Sequence, residues 1–213
     1  MAAAALVLYG VSLALTFGVR IVVQVLRTGS TGVRLIGGGA GPLEWLAGGL
    51  FALAVTLGAA APVLALTGVL EPIPALDGIV GHAIGIVLAV TGIALTFAAQ
   101  LAMGDSWRIG VDEGERTDLV TDGPFEIVRN PIYSAMIPGV LGLALMVPSV
   151  VAIAALATAV VALELQVRSV EEPYLLRTHG TAYAEYAARV GRFVPGVGHL
   201  VGIGSPDATG TPG

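Results

Sequence analysis

Apolar residues come in long unbroken blocks along this chain, and the blocks set its expected architecture. Five stand out, roughly Ala2 to Leu26, Glu44 to Leu66, Ile79 to Met103, Ile132 to Val147 and Ser149 to Val167. A hydrocarbon core needs about 20 apolar residues in a helix to cross it. The blocks therefore predict an all-α, polytopic membrane protein with about five transmembrane helices. The last two blocks are short and only Pro148 separates them. They predict a tight helical hairpin that tilts or thins the bilayer locally. Gly81 with Gly85, and Gly139 with Gly142, supply the small residues that let helices approach closely in lipid.

Polar residues gather in two segments, Gly104 to Asn130 and Arg168 to Arg192. We expect three parts: helices one to three in residues 1–103, a chemical core in 104–195, and an interfacial segment with a disordered tail in 196–213. Composition sharpens the class. The chain has 213 residues, is 55% hydrophobic and only 12% charged, and its mean hydropathy is +0.88. Soluble domains carry about 25% charged residues. The absence of cysteine excludes disulfides, thiolate metal sites and thiol nucleophiles. The first block has no basic residues before it, so we read it as a retained span and not a cleaved leader.

The arginines set an expected orientation. Arg20, Arg27 and Arg34 follow the first block; Arg108, Arg116 and Arg129 lie between the third and fourth; Arg168, Arg177, Arg189 and Arg192 follow the fifth. All ten fall on one side of the membrane, which predicts an outside N-terminus and a cytoplasmic C-terminus. Trp45 and Trp107 fit an aromatic belt at the interfaces. Every basic residue is arginine, a bias that suggests a GC-rich bacterial genome and hence an inner-membrane location. Asp112, Glu113, Glu115 and Asp118 read as a solvated acidic loop. Three scattered histidines, His82, His179 and His199, make no metal site, and no nucleic-acid patch is visible.

Candidate chemistry centres on Thr121 to Tyr133. Asn130 precedes a proline, which pushes it out of the helical region. Pro131 suits the first position of a new helix, and the Asn130 side-chain oxygen is expected to cap it. The positive end of that helix and Arg129 then share one polar space, a ready site for an anionic group. After the fifth block, Glu164, Arg168 and Glu172 are spaced to stack on one helix face. Pro173 then kinks that helix or opens a new one. Gly180 is a stop signal, and Thr181 a cap for a short helix carrying Tyr183 and Tyr186.

Taken together, Leu119-Val120, Gly123-Pro124-Phe125, Arg129-Asn130-Pro131 and Tyr133, then Glu171-Glu172, Gly180, Tyr183, Tyr186 and Arg192 to Pro195, resemble the isoprenylcysteine carboxyl methyltransferase and phospholipid methyltransferase superfamily. The resemblance covers about residues 103–195. Three positions depart from the pattern: Asn130 stands where histidine is commonest, His179 where an aromatic usually precedes the glycine, and Pro173 where the helix usually runs on.

The resemblance implies S-adenosyl-L-methionine as methyl donor on the cytoplasmic side, with a lipophilic or small acceptor arriving through the membrane lipids. The residue types suit that ligand. Arg129 and the Asn130/Pro131 helix end can meet its carboxylate, and Glu171 or Glu172 its ammonium or ribose. Phe125, Tyr133, Tyr183 and Tyr186 offer aromatic surface for a sulfonium; Leu119, Val120 and Gly123 offer close backbone contacts. Arg129 and Glu172 are the candidate catalytic residues, one orienting an anionic acceptor and one acting as base. Alanine at either is expected to abolish binding or turnover while leaving the fold intact. Two rivals remain open: a nicotinamide-dependent membrane reductase related to sterol reductases, and a non-catalytic protein that binds lipid or a partner.

Overall fold

The computed structural model describes residues 1–33, 41–110 and 118–200. Arg34, Arg116, the acidic residues Asp112, Glu113 and Glu115, and the tail from residue 201 lie outside the described residues. The described chain is helical, with isolated β-bridges only. Helices α1 (Ala2–Thr28), α2 (Pro42–Leu66), α3 (Ile79–Ala102) and α5 (Val150–His179) are each long and apolar enough to cross a membrane. Between the last two lies α4 (Pro131–Met146), shorter at 16 residues, about 24 Å at 1.5 Å per residue. The short α6 (Thr181–Arg189) follows.

The expected tight reversal between α4 and α5 is present and the two helices touch, but each packs more extensively on another helix. The chain reverses at Val147 to Ser149, where Ser149 Oγ accepts a hydrogen bond from the Ala152 amide at 3.3 Å. Yet α4 packs chiefly on α3, and α5 chiefly on α2, while α1 lies against both pairs. The cause is the distribution of small residues. Gly85, Ala89 and Gly92 of α3 face Gly142 and Gly139 of α4 so closely that a Cβ on Gly92 would sit 2.5 Å from the Gly139 Cα. Backbone contact of this kind substitutes in lipid for a hydrophobic driving force. Gly81 stands outside this seam; its nearest neighbour is the Leu76 carbonyl.

Between the two helix pairs and α1 lies an apolar cavity with an empty volume of about 950 Å³. All five long helices line it, with Tyr9 and Phe17 from α1, Phe51 from α2, Ile93 from α3, Met136 and Leu143 from α4, and Ala155 from α5.

The polar end of α1 is anchored inward. Its helix widens into a π turn over Ala14–Val19; Thr16 within the turn, and Arg20 and Gln24 after it, are buried. Gln100 of α3 donates to the Thr16 carbonyl, and Arg20 donates to the carbonyls of Gln100 and, at 2.6 Å, Gly104. The Arg20 guanidinium lies 4.5 Å from the Trp107 ring centroid, and Gln24 reaches the Asp105 carbonyl. Trp107 is thus 3% exposed, buried in a cation–π contact and not set in an interfacial belt; Trp45 is exposed. A sequence stripe, Thr16, Arg20 and Gln24 at steps of four, carried this signal.

A leucine at Gly92 should therefore separate α3 from α4 and lower the melting temperature of the detergent-solubilised protein, costing about 1–3 kcal/mol or more. Alanine at Gly49, where a Cβ meets nothing within 4 Å, should leave the melting curve unchanged.

Candidate active site

Both polar segments converge at the end of the bundle that carries the start of α4. Gly123 opens a 3-10 turn, Gly123–Glu126, in a left-handed conformation (φ +59°) that favours glycine. The chain then runs extended beside the residues that follow α6. Arg129 and Asn130 amides donate to the Gly191 and Arg192 carbonyls at 2.8 and 3.1 Å, a short parallel pairing. Ser134 Oγ adds a bond to the Phe193 carbonyl at 2.7 Å.

Asn130 occupies the N-cap position of α4, but its side chain does not cap. Its amide nitrogen donates instead to the Arg192 carbonyl at 3.1 Å. The strand-like neighbour takes the side chain that a free helix end would have used. Residues 191–198 are held in turn by their own reversal, with the Arg192 amide on the Val197 carbonyl at 2.8 Å. They are stitched to the site; Val194 and Val197 stay exposed.

The extension of α5 also departs from simple helix spacing. Arg168 pairs with Glu164 as expected, but a π turn over Val167–Glu171 inserts one residue of width. Glu172 is thereby rotated off the Glu164–Arg168 face and into the protein, where it is 5% exposed. Pro173 sits at the start of the α-helical turns that follow, where its missing N–H costs little. Gly180 ends the helix and also precedes α6; Thr181 makes no side-chain cap.

Glu172 is held by two arginines. Arg192 grips it with Nε on Oε1 at 2.8 Å and Nη2 on Oε2 at 2.9 Å. Arg129 Nη2 donates to Oε1 at 2.5 Å. Its two terminal nitrogens also bond the backbone, while Nε has no partner among the described residues. Nη1 donates to the carbonyls of Ala187 and Val190, and Nη2 also to Gly198. Arg129 therefore ties the end of α6 and the following turn to α5, and the hydrogen bonds to Glu172 raise the pKa of Arg192.

Beside this triad lies a cavity that opens to solvent. Its lining includes Leu119, Val120, Phe125, Arg129, Asn130, Pro131, Tyr133, Glu171, Glu172, Tyr183 and Tyr186. Among the residues expected at the site, Gly123 alone is absent from these walls; it shapes the turn behind Phe125. The Glu171 carboxylate accepts from Tyr133 Oη at 2.6 Å and from Gln166 Nε2 at 3.3 Å, both on Oε1. Tyr186 Oη donates to the Phe125 carbonyl at 2.7 Å, and its ring meets Tyr183 edge to face at 6.1 Å. Burial pushes the Tyr186 pKa up to about 12 and that of Tyr183 higher still, with the Glu172 charge adding to the latter. Both phenols stay neutral donors at any physiological pH.

Several wall residues were not singled out from the sequence as site residues. Met103, Arg108, Gly110, Asp118, Ile132, Tyr174 and Leu175 complete the lining. Tyr174 and Leu175 directly follow the glutamates and Pro173, a proximity that was readable; nothing in the spacing of Arg108 marked it.

With this geometry in hand, relatives become informative. Residues 80–182 match the phospholipid methyltransferase family. The chain is also 31% identical over 113 residues to protein-S-isoprenylcysteine O-methyltransferase B of Arabidopsis thaliana, an alignment that takes in 52% of this chain and 57% of that protein. The two matches support the membrane methyltransferase superfamily that the motifs resemble.

Removing the Arg129 side chain should disturb more than chemistry. Arg129→Ala leaves the Glu172 charge buried beside one arginine and frees the carbonyls of Ala187, Val190 and Gly198. We expect destabilisation of about 3–5 kcal/mol and faster proteolysis after residue 189, read by limited digestion of the detergent-solubilised protein. Wild-type stability and digestion in this variant would contradict the anchoring role.

Proposed function

We propose that this protein is an S-adenosyl-L-methionine-dependent integral membrane methyltransferase that accepts a lipophilic or small substrate from the bilayer. The observation that carries the reading is the stacking of two unlike cavities along one bundle. The upper one is apolar and lined by all the long helices; the lower is bounded by carboxylates, arginines and tyrosines. α4 joins them: Met136 faces the first, and Tyr133, one turn earlier, the second. A donor with a charged, nucleoside-like body suits the lower chamber and an acyl or prenyl-like acceptor the upper.

S-adenosylmethionine supplies an electrophilic methyl group on a sulfonium. The aromatic and carboxylate walls around Tyr133, Tyr183 and Glu171 favour a cation, while Leu119, Val120 and Leu175 give apolar surface for a base. In-line methyl transfer depends chiefly on positioning. Arg129 and Glu172 contribute by fixing the site floor, since the carboxylate is held by Arg129 and Arg192 and the terminal nitrogens of Arg129 also bond backbone carbonyls. Glu171 is the carboxylate nearer to acting on a bound group, because both of its bonds fall on one oxygen. A base is required only if the acceptor arrives protonated.

The arginine-bearing end of the bundle carries the lower chamber, and the positive-inside rule then sets it in the cytoplasm, in keeping with a bacterial inner-membrane enzyme. The reductase alternative fits less well. Among the described wall residues only Arg108 is a cation not already paired with a carboxylate, whereas a phosphorylated nicotinamide dinucleotide brings several phosphates.

Calorimetric titration of the detergent-purified protein should show binding of S-adenosylhomocysteine and none of NADPH. NADPH binding alone would replace this reading with a reductase; binding of neither would favour a non-catalytic role. Filling the upper chamber with Ala155→Phe should raise KM for a long-chain acceptor at least several-fold and leave S-adenosylhomocysteine affinity unchanged. Unaltered KM would detach the upper chamber from acceptor binding.

A further inference from the structure

Five charged side chains line the lower chamber, and two of them are already paired with each other. Arg129 and Glu172 form the buried pair described above, completed by Arg192 and three backbone carbonyls. Arg129 keeps one donor, Nε, without a partner among the described residues, but its charge already faces the Glu172 carboxylate. Arg108, Glu171 and Asp118 are the other three, and of these Asp118 is exposed to solvent.

Arg108 leaves α3 through the 3-10 turn Gly104–Ser106 and is placed by its neighbour Trp107, which Arg20 holds. Its guanidinium carbon lies 5.0 Å from the Tyr174 ring centroid, a cation–π contact that uses none of its N–H donors. Among the described residues, Nη1 is buried with no hydrogen-bond partner and Arg108 makes no ion pair. A buried guanidinium N–H without an acceptor costs desolvation that a ligand anion would offset. Glu171, on the same chamber, has its bonds from Tyr133 and Gln166 on Oε1 alone. A cation held over an aromatic ring and a carboxylate with a spare oxygen form the complement of an α-amino acid, whose carboxylate and ammonium share one carbon.

We propose that Arg108 is the carboxylate-binding residue of this chamber and, with Glu171 opposite, seats the zwitterionic amino-acid end of the methyl donor. The assignment rests on the methyltransferase reading and moves the carboxylate contact from Arg129 to Arg108. A guanidinium suits the task because its two parallel N–H groups match a carboxylate in one plane. Arg108 is a binding residue here, and the tether from Arg20 through Trp107 is what positions it.

The test compares two probes on the full-length protein in detergent, S-adenosylhomocysteine and methylthioadenosine, which lacks the amino-acid end. Wild type should bind the first more tightly. In Arg108→Gln the affinity for S-adenosylhomocysteine should fall about ten-fold or more, methylthioadenosine affinity should stay unchanged, and Arg108→Lys should recover part of the loss. Equal weakening of both probes would make Arg108 a structural support through Tyr174 and overturn the assignment. Unchanged S-adenosylhomocysteine affinity in Arg108→Gln would overturn it too, including when that variant instead raises KM for a carboxylate-bearing acceptor. Wild type that binds neither probe would remove the methyltransferase reading and this assignment with it, an outcome distinct from a loss confined to the variants.

Discussion

A carboxylate held between two guanidinium groups is the interaction on which the polar end of this molecule depends. Glu172 comes from the long fifth helix, Arg129 from the loop before the fourth, and Arg192 from the segment after the sixth. Three stretches distant in sequence meet at one charge. Burying an ion is costly unless it is paired and hydrogen-bonded, so none of the three can leave its place without exposing the others to that cost. The carbonyls of Ala187, Val190 and Gly198 on Arg129 extend the same constraint to the backbone. The chamber walls inherit their geometry from this knot.

Within the bundle a different constraint rules. Lipid gives apolar helices no reason to seek each other, so shape decides the pairing. Glycines matched across α3 and α4 bring those two backbones together. The other pair, α2 with α5, stands apart from them, and the space left between the pairs is the apolar chamber. A void in the membrane region thus follows from close packing elsewhere.

Much of this was legible in the chain. Block lengths gave the helices, since a run such as Ile79 to Met103 has no other stable form in hydrocarbon. Motif order brought nearly every expected wall residue to one cavity. What the sequence hid was competition for hydrogen-bonding groups. Arg129 beside a helix start looks available to a ligand, but three carbonyls from distant positions claim it. Asn130 looks like a cap, but the Arg192 carbonyl takes its amide. The rotation of Glu172 came from a single π turn, which residue spacing does not encode. Likewise the closer pairing of α4 with α3 than with α5 turned on which glycines faced each other. Arg108 was invisible because its significance is a missing partner.

The closing of the site by the segment around Arg192 has a consequence for biosynthesis. Ribosomes release a chain from its N-terminus, so all five long helices emerge before Arg192 and Gly198 do. Helix insertion and packing can finish while Glu172 still lacks its second arginine and the carbonyl anchors of Arg129 are incomplete. The last described residues to be made are those that lock the chamber, which separates in time the assembly of the membrane bundle from the capacity to hold a ligand.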